Sequence, residues 1–183
     1  MRDAPLAQPR VVMGLLFFPR GGSAQVTRSL AYALIKQGWD VTVVSGSLGL
    51  PGRPGDARTF FRNLDLHPMD YTAALETGDP LCADLPLHPS YEDRPGAPDR
   101  VFATVDDPTY EHLVASWARV LRQAGAATAD ILHLHHLTPL NEAAARIAPD
   151  VPVVGHLHGT ELLLLEALAS SPPVHWVHAE VWA

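Results

Sequence analysis

Residues Arg10 to Phe18, RVVMGLLFF, form a continuous apolar run that stops at Pro19, Arg20 and the pair Gly21-Gly22. An unbroken apolar run of this length reads as a strand buried on both faces, the kind that a parallel sheet uses. Ser23 then stands as a candidate helix N-cap. Val26, Leu30 and Leu34 recur at helical spacing as the predicted inner face, and Gly38 sits where a helix takes its C′ glycine. Asp40 to Ser45, DVTVVS, is a second strand. Together these segments spell strand, glycine turn, helix, strand, which is one βαβ unit. Parallel strands need crossover helices, so this opening commits the chain to a layered α/β fold.

The alternation resumes late in the chain. Tyr110, Leu113, Val114, Trp117, Val120 and Leu121 predict a helix from Pro108 to near Gly125. Asp130 to His135 is a strand, and Thr138-Pro139 supplies an N-cap and first-turn proline for a helix through Ile147. Val151 to His156 is another strand, and Gly159-Thr160 opens a leucine-rich helix from Glu161. Between these ordered ends, residues 46–100 are rich in proline and glycine and lose periodicity, apart from candidate strands near Leu64 to Leu66 and at Val101 to Val105. So long a segment is either a functional loop or a poorly ordered surface excursion. The expectation is one doubly wound, Rossmann-like, mostly parallel sheet with helices on both faces, spanning 1–183 as a single domain. The apolar stretch Val174 to Ala183 ends without a helix-stop signal.

Composition narrows the function. Lys+Arg 13 against Asp+Glu 20 gives a net charge of −7, which argues against nucleic acid as a partner. No run reaches the roughly 18 apolar residues of a membrane span, although peripheral membrane contact stays open. A single cysteine, Cys82, excludes an internal disulfide and fits a reducing compartment such as the cytoplasm. Lys36 is the only lysine, and abundant Ala, Pro and Arg suggest a GC-rich, bacterial source.

Ligands of doubly wound sheets bind beyond the carboxyl ends of the strands. Three features fall there: Pro19 to Ser23, His133 to Thr138, and His156 to Glu161. The glycine pair lets backbone approach a ligand, and a helix start beside it favours an anion. The pattern is neither a P-loop nor G-x-G-x-x-G, and the second strand ends without an acidic residue for a ribose, so nicotinamide binding is disfavoured. Taken alone, the pair also fits a plain tight turn. His133, His135 and His136 at one strand end and His156 and His158 at another could make a metal site, with Asp130 and Glu161 as helpers, but no H-E-x-x-H spacing is present. His133, inside its strand, reads better as a hydrogen-bonded structural residue, and His158, before Gly159, as a ligand-facing one. Trp117, Trp176 and Trp182 could stack on a sugar but sit at core spacing. Arg20 could hold an anion, with a solvated side chain as the plainer reading.

Phe17-Phe-Pro-Arg-Gly-Gly-Ser, Gly38-Trp-Asp-Val-Thr-Val-Val, Asp130-Ile-Leu-His-Leu-His-His and Val153-Val-Gly-His-Leu-His-Gly-Thr-Glu-Leu resemble, in order and spacing, the N-terminal domain of retaining GT-B glycosyltransferases, the bacterial relatives of glycogen and sucrose synthases. The resemblance covers both ends of the chain and skips the middle third. It implies the acceptor-side half of a two-domain enzyme, whose C-terminal donor domain is absent from this sequence, so the isolated chain is expected to be inactive. It implies a nucleotide-sugar and an acceptor as partners, and no metal. By motif, Gly21, Gly22 and Ser23 approach the donor diphosphate, His158 hydrogen-bonds the donor sugar as the catalytic residue, and Gly159, Thr160 and Glu161 line the acceptor side, with His135 and His136 as further binding candidates. A metal-dependent hydrolase using the histidines, or a non-catalytic sugar- or phosphate-binding module, are the alternatives.

Overall fold

The computed structural model describes residues 8–168. Its strands are β1 (Arg10–Leu15), β2 (Asp40–Ser47), β3 (Asp65–Asp70), β4 (Ile131–His135) and β5 (Val153–His156). Its helices are α1 (Gly21–Lys36), α2 (Ala57–Phe60), α3 (Asp107–Gln123), α4 (Pro139–Ile147) and α5 (Glu161–Leu168). The strands form one sheet in the order β3-β2-β1-β4-β5, with every pair parallel. This is the expected doubly wound, Rossmann-like α/β architecture. The chain winds outward from β1 to β3, then returns to the other side of β1 to lay down β4 and β5. The reversal opens a crevice at the carboxyl ends of β1 and β4.

The core follows from the apolar runs. Val12, Met13, Leu15, Val43 and Val44 on the central strands are wholly buried, as are Leu113, Trp117 and Leu121 on α3. Trp117 is thus core; Trp176, Trp182 and the stretch Val174 to Ala183 lie outside the described residues. α3 is capped by Asp106, whose carboxylate accepts from the Thr109 N–H at 2.9 Å. Thr138 and Asn141 cap α4, the Thr138 N–H donating to Asn141 Oδ1 at 3.1 Å, and Pro139 takes the first turn as predicted.

Three local expectations are corrected. α1 starts at Gly21, with Arg20 at the N-cap position and no side-chain cap, so Ser23 is the third residue of the helix and not its cap. The inner face of α1 is Ala24, Thr27 and Ala31, with Leu30 and Leu34 flanking it and Val26 37% exposed. Small residues let the helix lie close to the sheet, and packing distance outweighed hydrophobicity in choosing the face. Val101 to Val105 is not a strand but a 3-10 turn at Phe102–Thr104, with Val101 making one isolated bridge to Ser90.

The segment 46–100 is no surface excursion. β2 runs on to Ser47, Asp56 caps α2 by accepting from the Arg58 and Thr59 N–H groups, and β3 extends the sheet at its edge. Tyr71 is fully buried and its hydroxyl donates to the Leu16 carbonyl at 2.6 Å. Tyr91 likewise donates to the Leu137 carbonyl at 2.6 Å. Those two bonds fasten the segment over the carboxyl ends of β1 and β4, where it forms one wall of the crevice.

Candidate active site

The turn after β1 sets the floor of the crevice. Gly21 adopts a φ of +65°, a conformation that L side chains rarely take, and it opens α1 at the end of the short turn that follows β1. Open space lies beyond both Gly21 and Gly22. The first turn of α1 has no side-chain cap and no acidic residue, which leaves its N–H groups and positive dipole end for an anion. Arg20, beside them, lies over the Phe18 ring at 4.7 Å from its centroid. Among the described residues its guanidinium has no ion pair, and burial together with the nearby Arg94 lowers its pKa.

A cavity of about 540 Å³ lies above this turn, lined by Arg20, Gly21, Gly22 and Ser23 from β1 and α1, and by His136, His158 and Thr160 from the β4 and β5 ends. A second cavity of about 200 Å³ shares Arg20, Ser23, His136 and Thr160 and adds Ser90, Tyr91, Glu92 and Arg94. A third, of about 290 Å³, shares Arg20 and Arg94 and is walled by Phe18, Leu48, Leu75, Leu87 and His88. Arg20 therefore stands at the junction of one continuous groove.

The opposite wall is built from imidazoles. His136 follows β4 with a φ of 69°, a strained conformation for a side chain with a Cβ. It is held there by Glu161, whose Oε1 lies 2.6 Å from His136 Nδ1 while Oε2 accepts the His158 N–H at 3.0 Å. Burial opposes ionisation of Glu161, but the His136 hydrogen bond and two backbone N–H groups hold its carboxyl below the usual value. His158 Nε2 lies 2.9 Å from His135 Nδ1, and its ring stacks on His156 at 4.5 Å and 6°. Burial, then the neighbouring His136 and His156 rings, lower the His158 pKa to about 4. Burial and the surrounding imidazoles also lower that of His135, and burial with His156 lowers that of His133. These three rings are therefore neutral at neutral pH. They can give or accept a hydrogen bond without bringing charge into the groove.

The model of Glycosyltransferase Family 4 matches residues 20–182, from the glycine turn onward and through the middle third that the sequence motifs skip. The chain belongs to that family. A comparison with curated proteins gave no match. A doubly wound domain of this kind is what half of a GT-B fold looks like, and a glycosyltransferase groove implies a sugar donor and an acceptor.

Of the residues singled out in the sequence, the glycosyltransferase groove collects Gly21, Gly22, Ser23, His136, His158 and Thr160. Gly159, with a φ of +91°, makes the sharp turn between His158 and Thr160. Glu161 is 2% exposed and occupied by His136 and His158, so it braces the wall from behind. His135 is wholly buried beneath His158. His133 makes no side-chain hydrogen bond among the described residues, contrary to the expectation of a hydrogen-bonded strand residue. Asp130 does not join the histidine group as a helper would: it accepts the Arg10 N–H at 2.7 Å at the opposite end of β4. The sequence reading missed His88, Ser90, Tyr91 and Arg94. The signal was the short stretch Leu87-His-Pro-Ser-Tyr91, a dense patch of buriable side chains in an otherwise polar segment.

Proposed function

We propose that this chain is the acceptor-side half of a retaining GT-B glycosyltransferase, of the group related to bacterial glycogen and sucrose synthases, moving a sugar from a nucleotide-sugar donor to an acceptor hydroxyl. The observation that supports it best is the groove itself, in which the free N-terminal turn of α1 and Arg20 face His136, His158 and Thr160 across the switch point of the sheet. Departure of the nucleotide builds negative charge on its diphosphate. The N–H groups at Gly21 and Gly22 answer that charge with fixed dipoles, which need no reorganisation as it develops. His158, neutral and backed by His135, positions the donor sugar through a hydrogen bond that strengthens in the transition state. Glu161 keeps His136 and the His158 backbone in place. The transfer step as proposed uses no metal ion, and a second, donor-holding domain completes the site. We assign the reaction to the cytoplasm, a reading that a free, exposed Cys82 supports. No helix of the described residues is long and apolar enough to cross a membrane.

The test uses the complete natural chain that carries this sequence. Removing one hydrogen bond of this kind costs about 2–4 kcal/mol in the barrier. His158→Ala should therefore lower kcat by roughly 30-fold to 1000-fold with the circular dichroism spectrum unchanged. The 183-residue chain alone should fold and transfer no sugar. Near-normal kcat in His158→Ala would remove His158 from the mechanism, and turnover by the 183-residue chain would remove the need for a donor half.

A further inference from the structure

β4 and β5 turn His133, His135 and His156 toward one another on a single face of the sheet. The register sets His135 directly opposite His156. The rings stack, His133 on His135 at 4.8 Å and 23°, and His135 on His156 at 4.9 Å and 21°. One ring nitrogen from each lies within 4.8 Å of the other two. His156 is only partly buried, which gives an ion a way in. Neither His133 nor His156 makes a side-chain hydrogen bond among the described residues.

His135 carries the second observation. It is fully buried, and its Nε2 has no partner. Its Nδ1 shares one proton with His158 Nε2 across 2.9 Å. If His158 donated, the proton of neutral His135 would sit on Nε2 as a buried N–H with no acceptor, and a buried donor left unmade costs its full desolvation. The favoured tautomer has His135 Nδ1–H donating to His158, which leaves a bare lone pair on His135 Nε2. An imidazole that donates through one nitrogen and offers a lone pair on the other is the ordinary form of a metal ligand with its outer partner in place.

We propose that His133, His135 and His156 bind one divalent cation of the zinc class, with water in the fourth position. Three neutral imidazoles without a carboxylate suit Zn²⁺, Ni²⁺ or Co²⁺ and not the oxygen-seeking Mg²⁺ or Ca²⁺. Tetrahedral bonds of 2.0–2.1 Å put ligand nitrogens about 3.4 Å apart. The His133 and His156 rings, which no side-chain hydrogen bond holds, close that gap by rotating toward the fixed His135. The ion sits one imidazole away from the groove and takes no part in transfer. By holding the lone pair of His135 it fixes His158 Nε2 as an acceptor and turns the remaining N–H of His158 outward, as a donor. The site does not depend on the glycosyltransferase reading.

The experiment takes the untagged 183-residue chain, treated with chelator and dialysed at pH 7.5, and titrates it with Co²⁺ by visible absorption and with Zn²⁺ by calorimetry. One ion binds per chain, with the intense visible bands of four- or five-coordinate Co²⁺. His133→Ala and His156→Ala each weaken binding at least tenfold, and each melts in chelator cooperatively and within a few degrees of the parent, which shows that the loss is not misfolding. His67→Ala, on β3, leaves binding unchanged. Absence of saturable binding, or binding that survives both substitutions, overturns the proposal and leaves the three rings as a packing stack.

Discussion

The two faces of β4 carry the same strand in opposite chemistries. Leu132 and Leu134 are wholly buried on one face, where Leu134 and Leu140 of α4 close over Gly14. His133 and His135 occupy the other, stacked with His156 and His158 and offering nitrogens instead of methyl groups. A fully buried strand usually reads as continuous Val, Ile and Leu. Here the alternation Ile-Leu-His-Leu-His separates a face that stabilises the fold from a face that is held up by it. The strand can therefore spend one side on chemistry because the other side, packed at interior density, fixes its position.

The largest expected break in this comparison is Leu134→Ala. It leaves a cavity between β4, Gly14 and α4 that the surrounding strands cannot fill, and costs about 2–5 kcal/mol. Urea denaturation should show a lower midpoint with an unchanged slope. A loss below about 1 kcal/mol would mean that the leucine face is not the one that carries stability.

How much of this was legible follows from the same contrast. The βαβ opening, the strands β1, β2, β4 and β5 and the capped helices are set by local period and by end signals, so Thr138-Pro139, Gly38 and the histidine clusters at strand ends could be read directly. β3 was visible only as a hint at Leu64 to Leu66, because a six-residue edge strand, DLHPMD, has no apolar alternation to show. The folding of 46–100 was not legible. Its burial rests on single side chains, Tyr71 and Tyr91 each reaching a distant carbonyl and His88 the distant ring of Phe17, and such long-range anchors leave no period in the sequence. The inner face of α1 was misread because the sheet demanded small residues. At the site, the clustering of histidines was legible. Glu161 as a buried brace was not, since only the turn at Gly159 brings it back beneath His136.

A second contrast appears on acidification. His158, with its pKa lowered to about 4, and His88, lowered to about 3 chiefly by burial and then by Arg20, take up protons more readily when the chain is unfolded. His133 and His135 are shifted the same way. Between pH 6.5 and the folded values the unfolded state therefore binds more protons, and stability falls as pH falls. Each fully buried ring, His88 above all, contributes up to about 1.4 kcal/mol per pH unit, and the half-exposed His158 less because water screens it. Glu161 is lowered from 4.5, so its contribution is present above that value and fades only as pH drops through its folded pKa. Stability measured from pH 7 to 5 thus reports the imidazoles alone. It should decline steadily over that range, and a flat profile would mean that the stack is charged or solvated in the folded chain.

The smallest expected effect is the sharpest test of the division between faces. His133 lies one residue from Leu134, on the same strand and at the same depth in the sheet, yet it is half-buried, without a hydrogen bond, and touches mainly other rings. Removing it deletes a stacking contact, opens no sealed cavity and leaves no buried partner unpaired. His133→Ala should cost under about 1 kcal/mol in chelator, against the several expected for its neighbour. It should also soften the slope of stability against pH, since one of the rings that resists protonation is gone. If thermal denaturation instead showed His133→Ala and Leu134→Ala to be equally damaging, the histidine face would be structural core in its own right. Neutral imidazoles would then be stabilising β4 by packing, and their convergence at the strand end would need no ligand to explain it.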